Sequence, residues 1–131
     1  MAELFAAAQL RIARPSRNYA EVVAFYSVTL GLPVLARWEG HGGYDGTVFG
    51  LPDAGRQLEI LHVAEVNPAP TGEDQLVFYL RSPEAVAEVA GRLTASGHEP
   101  RLSPNPYWQE TGASCFVDPD GYWLVLSPGS W

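Results

Sequence analysis

The stretch FVDPDGYWLVL (residues 116–126) places a tight turn between two short apolar runs. Its four central residues, DPDG, have the chemistry of a turn. Proline presets one backbone angle, aspartates bond to nearby backbone, and glycine takes a positive φ. SCFV (114–117) and YWLVLS (122–127) then read as the two strands that the turn joins. The two aspartates, Asp118 and Asp120, are turn residues on this reading rather than a pair doing acid–base chemistry.

Working outward, the same order of elements occurs twice. LRIAR (10–14) reads as a strand, followed by a helix that starts at Asn18. Glu21, three residues on, predicts a capping box. Val22, Phe25, Tyr26 and Leu30 share a helical face, and Gly31 closes the helix. VLARW (34–38), TVFGL (47–51) and QLEIL (57–61) follow as strands. After EVNPAPTGED (65–74), a linker by composition, QLVFYL (75–80) is a strand. Ser82 then caps a helix with Pro83 at its first position, a face of Val86, Val89 and Leu93, and Gly97 at its end. A shorter, less regular region leads to SCFV and YWLVLS.

The recurrence has one spacing. Gln9, Leu10, Ser16, Val23, Gly31, Gly55 and Leu58 return as Gln75, Leu76, Ser82, Val89, Gly97, Gly121 and Leu124, each 66 residues later. The spacing predicts two similar modules, each strand–helix–three strands, at 7–64 and 75–129. Neither buries its apolar face alone, so one α+β domain spanning 1–131 is expected.

Composition narrows the function. The chain has 131 residues, of which 47% are hydrophobic and 18% charged, as in a folded domain with a core. A net charge of −7 argues against nucleic acid and anionic membranes as partners. The single cysteine, Cys115, sits in an apolar stretch and excludes an intrachain disulfide. MAELFAAAQL lacks the basic start of a signal peptide, so a cytoplasmic setting is expected. The three histidines lack metal-site spacing: His41 lies in a glycine-rich loop, His62 faces away from Glu59, and His98 follows a helix end.

FYSVTLGLPVL (25–35) in the first module and FVDPDGYWLVL in the second together resemble the vicinal oxygen chelate superfamily, which includes glyoxalase I, bleomycin-resistance proteins and extradiol dioxygenases. The resemblance covers nearly the whole chain. It implies two βαβββ modules with sheets curled around a cleft, the glyoxalase/bleomycin-resistance fold. Its enzymes hold a divalent metal on the first and last strands of each module, through a His or Gln and then a Glu. Here those positions read Gln9 and Glu59, then Gln75 and Val125. Gln9 is placed only to within two residues, because Arg11 shares its face. Valine has no electron pair to give, and amides are weak ligands. No cofactor is therefore favoured, and Gln9, Glu59 and Gln75 would be the ligands if a divalent metal bound.

Glu59 lies between apolar neighbours and needs a partner, or its carboxyl would be pushed toward neutrality. Strand alternation puts Trp123 with Val125 and Tyr79 with Gln75. Tyr44, Tyr107 and Trp108 fall in loops, and Trp38 on a strand. These rings could be ordinary core or a dimer interface. They could also line a pocket whose polar anchors hold a planar or cationic ligand. The expected protein is a homodimer that binds a small molecule such as an antibiotic in a cleft formed by Gln9, Arg11, Trp38, Glu59, Gln75, Tyr79, Tyr107, Trp108, Trp123 and Val125. The alternative is a metal-dependent lyase or isomerase resembling glyoxalase I.

Overall fold

A computed structural model of the chain describes residues 1–130. The chain divides into two compact units, Met1–Pro68 and a second from Ala69 onward.

The first unit carries β1 (Leu10–Pro15), α1 (Tyr19–Ala24), β2 (Val34–His41), β3 (Tyr44–Gly50) and β4 (Arg56–Val63), after a short 3₁₀ turn at Ala2–Phe5. Its four strands lie in the order β1-β4-β3-β2, with β1 parallel to β4 and the other pairs antiparallel. The strands run one to three residues beyond the predicted segments, so His41 and Tyr44 end β2 and open β3 rather than sitting in a loop.

Helix α1 starts at Asn18 as expected, but no side-chain cap bond forms. Asn18 has φ −107° and ψ 59°, not the extended geometry that aims a cap at the first turn. The helix continues as one wide π turn, Phe25–Thr29, and Gly31 closes it at φ 74°. Val22, Phe25 and Tyr26 are buried, as are Phe49, Leu58 and Ile60 on the sheet, and the Tyr26 and Phe49 rings lie 5.9 Å apart. Alternation along the strands puts Phe49, Leu58 and Ile60 on the helix-covered face. Gln57 and Glu59 go to the other.

The second unit carries β5 (Gln75–Leu80), α2 (Pro83–Ala95), α3 (Tyr107–Glu110), β6 (Ser114–Val117) and β7 (Trp123–Pro128). Its sheet has the order β5-β7-β6, with β5 parallel to β7. Ser82 caps α2 through its side chain, which accepts from Ala85 N–H at 3.1 Å, with Pro83 at the first position. Val86 and Leu93 of α2 are buried, as are Phe116, Leu124 and Leu126 of the sheet.

Among the described residues this sheet has three strands where the first has four. Residues 99–106 run irregularly, and Arg101 N–H to the Cys115 carbonyl, at 2.8 Å, is their bond to β6. Pro100, Pro104 and Pro106 account for this, because none has an N–H to give a ladder. The turn between β6 and β7 forms as read. Asp118 Oδ1 accepts from the N–H of Asp120 (2.9 Å) and Tyr122 (3.0 Å), and Gly121 has φ 97°. No described helix is long and apolar enough to cross a membrane.

Candidate functional site

In the first unit, the site residues gather on the sheet face turned away from α1. Arg11 pairs with Gln57 across β1 and β4, and Ala13 pairs with Glu59. Arg11 Nε donates to Gln57 Oε1 at 2.8 Å, and Nη1 donates to Glu59 Oε1 at 2.9 Å. Gln57 is itself fixed, since its Nε2 donates to the Ala54 carbonyl at 2.7 Å. Glu59 is buried, at 8% exposure, and lies between Ala13 and Val48 on the neighbouring strands. A carboxylate there needs compensation, and the Arg11 guanidinium supplies it. Small Ala13 leaves the diagonal path between them open.

Trp38 lies on this same face, paired with Gly46. The indole sits where a Cβ on Gly46 would be, so glycine is what lets the ring lie against the sheet. His62 faces the other way, toward Tyr19, with ring centres 6.2 Å apart.

Gln9 is not part of this arrangement. It is exposed and precedes β1, whose pairing with β4 begins at Leu10. The register shows which residue holds the position expected of Gln9. Arg11 pairs with Gln57, Gln75 pairs with Trp123, and Gln57 and Trp123 are related by the 66-residue spacing. Arg11 is therefore the structural counterpart of Gln75. The sequence spacing was off by two residues at this strand, a shift that keeps the face and changes the side chain.

In the second unit, Gln75, Val77 and Tyr79 of β5 share a face with Trp123 and Val125 of β7 and Cys115 of β6. Trp108 packs onto this face. It is only 6% exposed and shares a buried cluster with Cys115 and Val125, against which Val77, Ala113 and Trp123 pack. Its Nε1 donates to Gln75 Oε1 at 3.1 Å. The Tyr107 ring meets Trp108 edge-on at 5.0 Å, and Tyr79 lies 6.3 Å from it. Tyr79 and Tyr107 stay about two-fifths exposed, whereas Val125 is fully buried. Two expected cleft residues, Trp108 and Val125, are thus core. Sequence alone left Trp108 open between core, interface and pocket, because a four-residue helix in a proline-rich loop shows no periodicity. The Cys115 thiol is pushed up by burial, so it is a poor nucleophile.

A divalent metal does not fit these donors. In the first unit the first-strand position holds a cation, Arg11, already bonded to the one clear ligand type, Glu59. In the second unit the Gln75 carbonyl oxygen takes the indole N–H, and Val125 offers no donor. No cluster of three or more His, Cys, Asp or Glu able to hold a metal occurs among the described residues.

Known protein families match each unit of the chain. The YycE-like N-terminal domain matches residues 10–61 and the YycE-like C-terminal domain matches residues 73–128. The uncharacterized protein YycE of Bacillus subtilis is 37% identical over 124 residues, covering 93% of this chain and 88% of that protein. A crystal structure of a YycE protein of unknown function from Bacillus subtilis superposes with a TM-score of 0.89 at 35% identity, covering 95% of this chain and 92% of that one. More distantly, a mutant of the fosfomycin resistance protein FosX from Listeria monocytogenes, complexed with Mn(II) and a dihydroxypropylphosphonic acid, has a TM-score of 0.71 at 18% identity. That match covers 92% of this chain and 90% of FosX, and at this identity it shows a shared fold.

Proposed function

We propose that this chain, which belongs to the YycE-like family within the vicinal oxygen chelate superfamily, is a small-molecule-binding protein that works without a tightly held catalytic metal. The observation that carries this reading is the Arg11–Glu59 pair at 2.9 Å. Where metal-using members of the fold bring two ligands from the first and last strands of a module, this chain brings a cation and an anion that neutralise each other. A dication there would have to displace the guanidinium or sit beside it, against Coulomb repulsion. The Trp108–Gln75 bond and the buried Val125 support the same reading in the second module.

Taken unit by unit, the side chains proposed for ligand contact are Arg11, Trp38 and Glu59 in the first, and Gln75, Tyr79, Tyr107 and Trp123 in the second. Exposed rings favour a planar compound. The cationic ligand expected from sequence loses its main ground, because the Glu59 charge is already met. A homodimer and a cytoplasmic setting belong to the proposal, on resemblance and composition.

The test combines metal analysis with thermal shift. Protein dialysed against manganese, nickel, zinc or iron should retain far less than one equivalent, and its melting temperature should not move. A planar compound present at about 100 times its Kd should stabilise by about 2.7 kcal/mol. One equivalent of metal surviving dialysis would overturn the proposal in favour of a metal-dependent lyase or isomerase.

A further inference from the structure

We infer that Arg11 is a binding site for a small oxyanion, its guanidinium projecting from the first-strand position at which metal-using relatives of the fold carry a ligand residue. The inference rests on the metal-independent reading and names the ligand chemistry that follows from it. Arginine has five N–H donors in a planar fork. Gln57 and Glu59 take one each, through Nε and Nη1, and Nη2 has no partner among the described residues. The side chain is 48% exposed while that of Glu59 is 10% exposed, so a solute reaches Arg11 far more readily than the carboxylate that it neutralises.

Both anchors come from β4, and Gln57 is held in turn by the Ala54 carbonyl. The fork is thereby fixed before any ligand arrives, which lowers the entropy cost of forming the next hydrogen bonds. Two oxygens of one carboxylate or phosphate group match its remaining donors. Arg11 also sits on β1, the edge strand of its sheet, so among the described residues no strand of that sheet pairs beyond it. The overall charge of −7 opposes anions only weakly here, because charges beyond about 8 Å are screened at physiological salt, while the fixed cation acts at contact.

The same chemistry could come from a phosphate or a carboxylate group, so inorganic phosphate and acetate are titrated separately into the full chain at constant ionic strength, with chloride as the control. Binding is read from the Arg11 Nε–H resonance by NMR. At least one of the two anions should shift it saturably. R11Q should weaken binding roughly tenfold or more, and R11K should weaken it less, because an ammonium keeps the charge without the fork. E59Q should strengthen binding several-fold, because the amide oxygen still accepts from Nη1 and holds the fork while the competing negative charge is gone.

The E59Q result separates a binding site from a merely structural ion pair, in which E59Q would loosen Arg11 and weaken any contact. Chemical denaturation of each variant establishes that it is folded. If neither anion shifts Arg11 beyond the chloride control, or if E59Q weakens binding, the inference is overturned. That failure is distinct from failure of the metal-independent reading, which shows as a retained equivalent of metal whatever the anions do.

Discussion

Trp108→Ala tests the arrangement of the second module most directly. The indole is buried in one cluster with Cys115 and Val125, against which Val77, Ala113 and Trp123 pack, and it donates to Gln75. Truncating a buried tryptophan to alanine costs about 3–5 kcal/mol, the lost transfer energy plus an unfilled cavity. For a chain of this size that lowers the melting temperature by about 10–20 °C. Trp108→Phe keeps most of the ring but drops the N–H, and should cost about 1–2 kcal/mol. Urea denaturation followed by circular dichroism measures both. A double-mutant cycle with Gln75→Ala isolates the bond, with a coupling of about 0.5–1.5 kcal/mol expected.

Cys115, the only cysteine, gives an independent readout. It is 4% exposed in the buried cluster that includes the indole, so a thiol reagent should label native wild-type protein slowly. Folded Trp108→Ala should label at least roughly tenfold faster, since the cover is gone. A loss below about 1 kcal/mol together with unchanged labelling would refute the claim that Trp108 seals this face.

Two further outcomes follow from the turn and the thiol. Asp118→Ala leaves the N–H groups of Asp120 and Tyr122 without their carboxylate acceptor and should cost about 1–3 kcal/mol in urea denaturation, whereas Asp118→Asn keeps an acceptor oxygen and should cost less; equal losses would show that the turn depends on charge instead. For Cys115, burial raises the native thiol above its unfolded value near about 8.5, so its contribution is complete below that value and falls as pH rises toward the native one. Wild-type stability should therefore fall more steeply than that of Cys115→Ala in urea titrations above pH ~8.5, and parallel pH profiles would contradict the burial of the thiol.

The sequence by itself determined the modular plan. Side-chain periodicity marks helix and strand locally, and the 66-residue spacing repeats the module because each copy must solve the same burial problem. Ser82, Gly31, Gly97 and the DPDG turn were legible because their roles depend on near neighbours in the chain. Val125 as the counterpart of Glu59 was legible too, since both lie on well-defined last strands.

What only the tertiary structure decided lies in register and in loops. Alternation fixes which face a residue takes but is blind to a slide of two, so only the pairing of β1 with β4 shows that Arg11, not Gln9, stands beside Glu59. That one step exchanges a neutral amide for a cation at the position beside Glu59. The burial of Trp108 was equally invisible, because a short helix between prolines and a glycine carries no pattern, and its partners Gln75 and Val125 are distant along the chain. Contacts between residues far apart in sequence are set by packing, and packing decided what this site can hold.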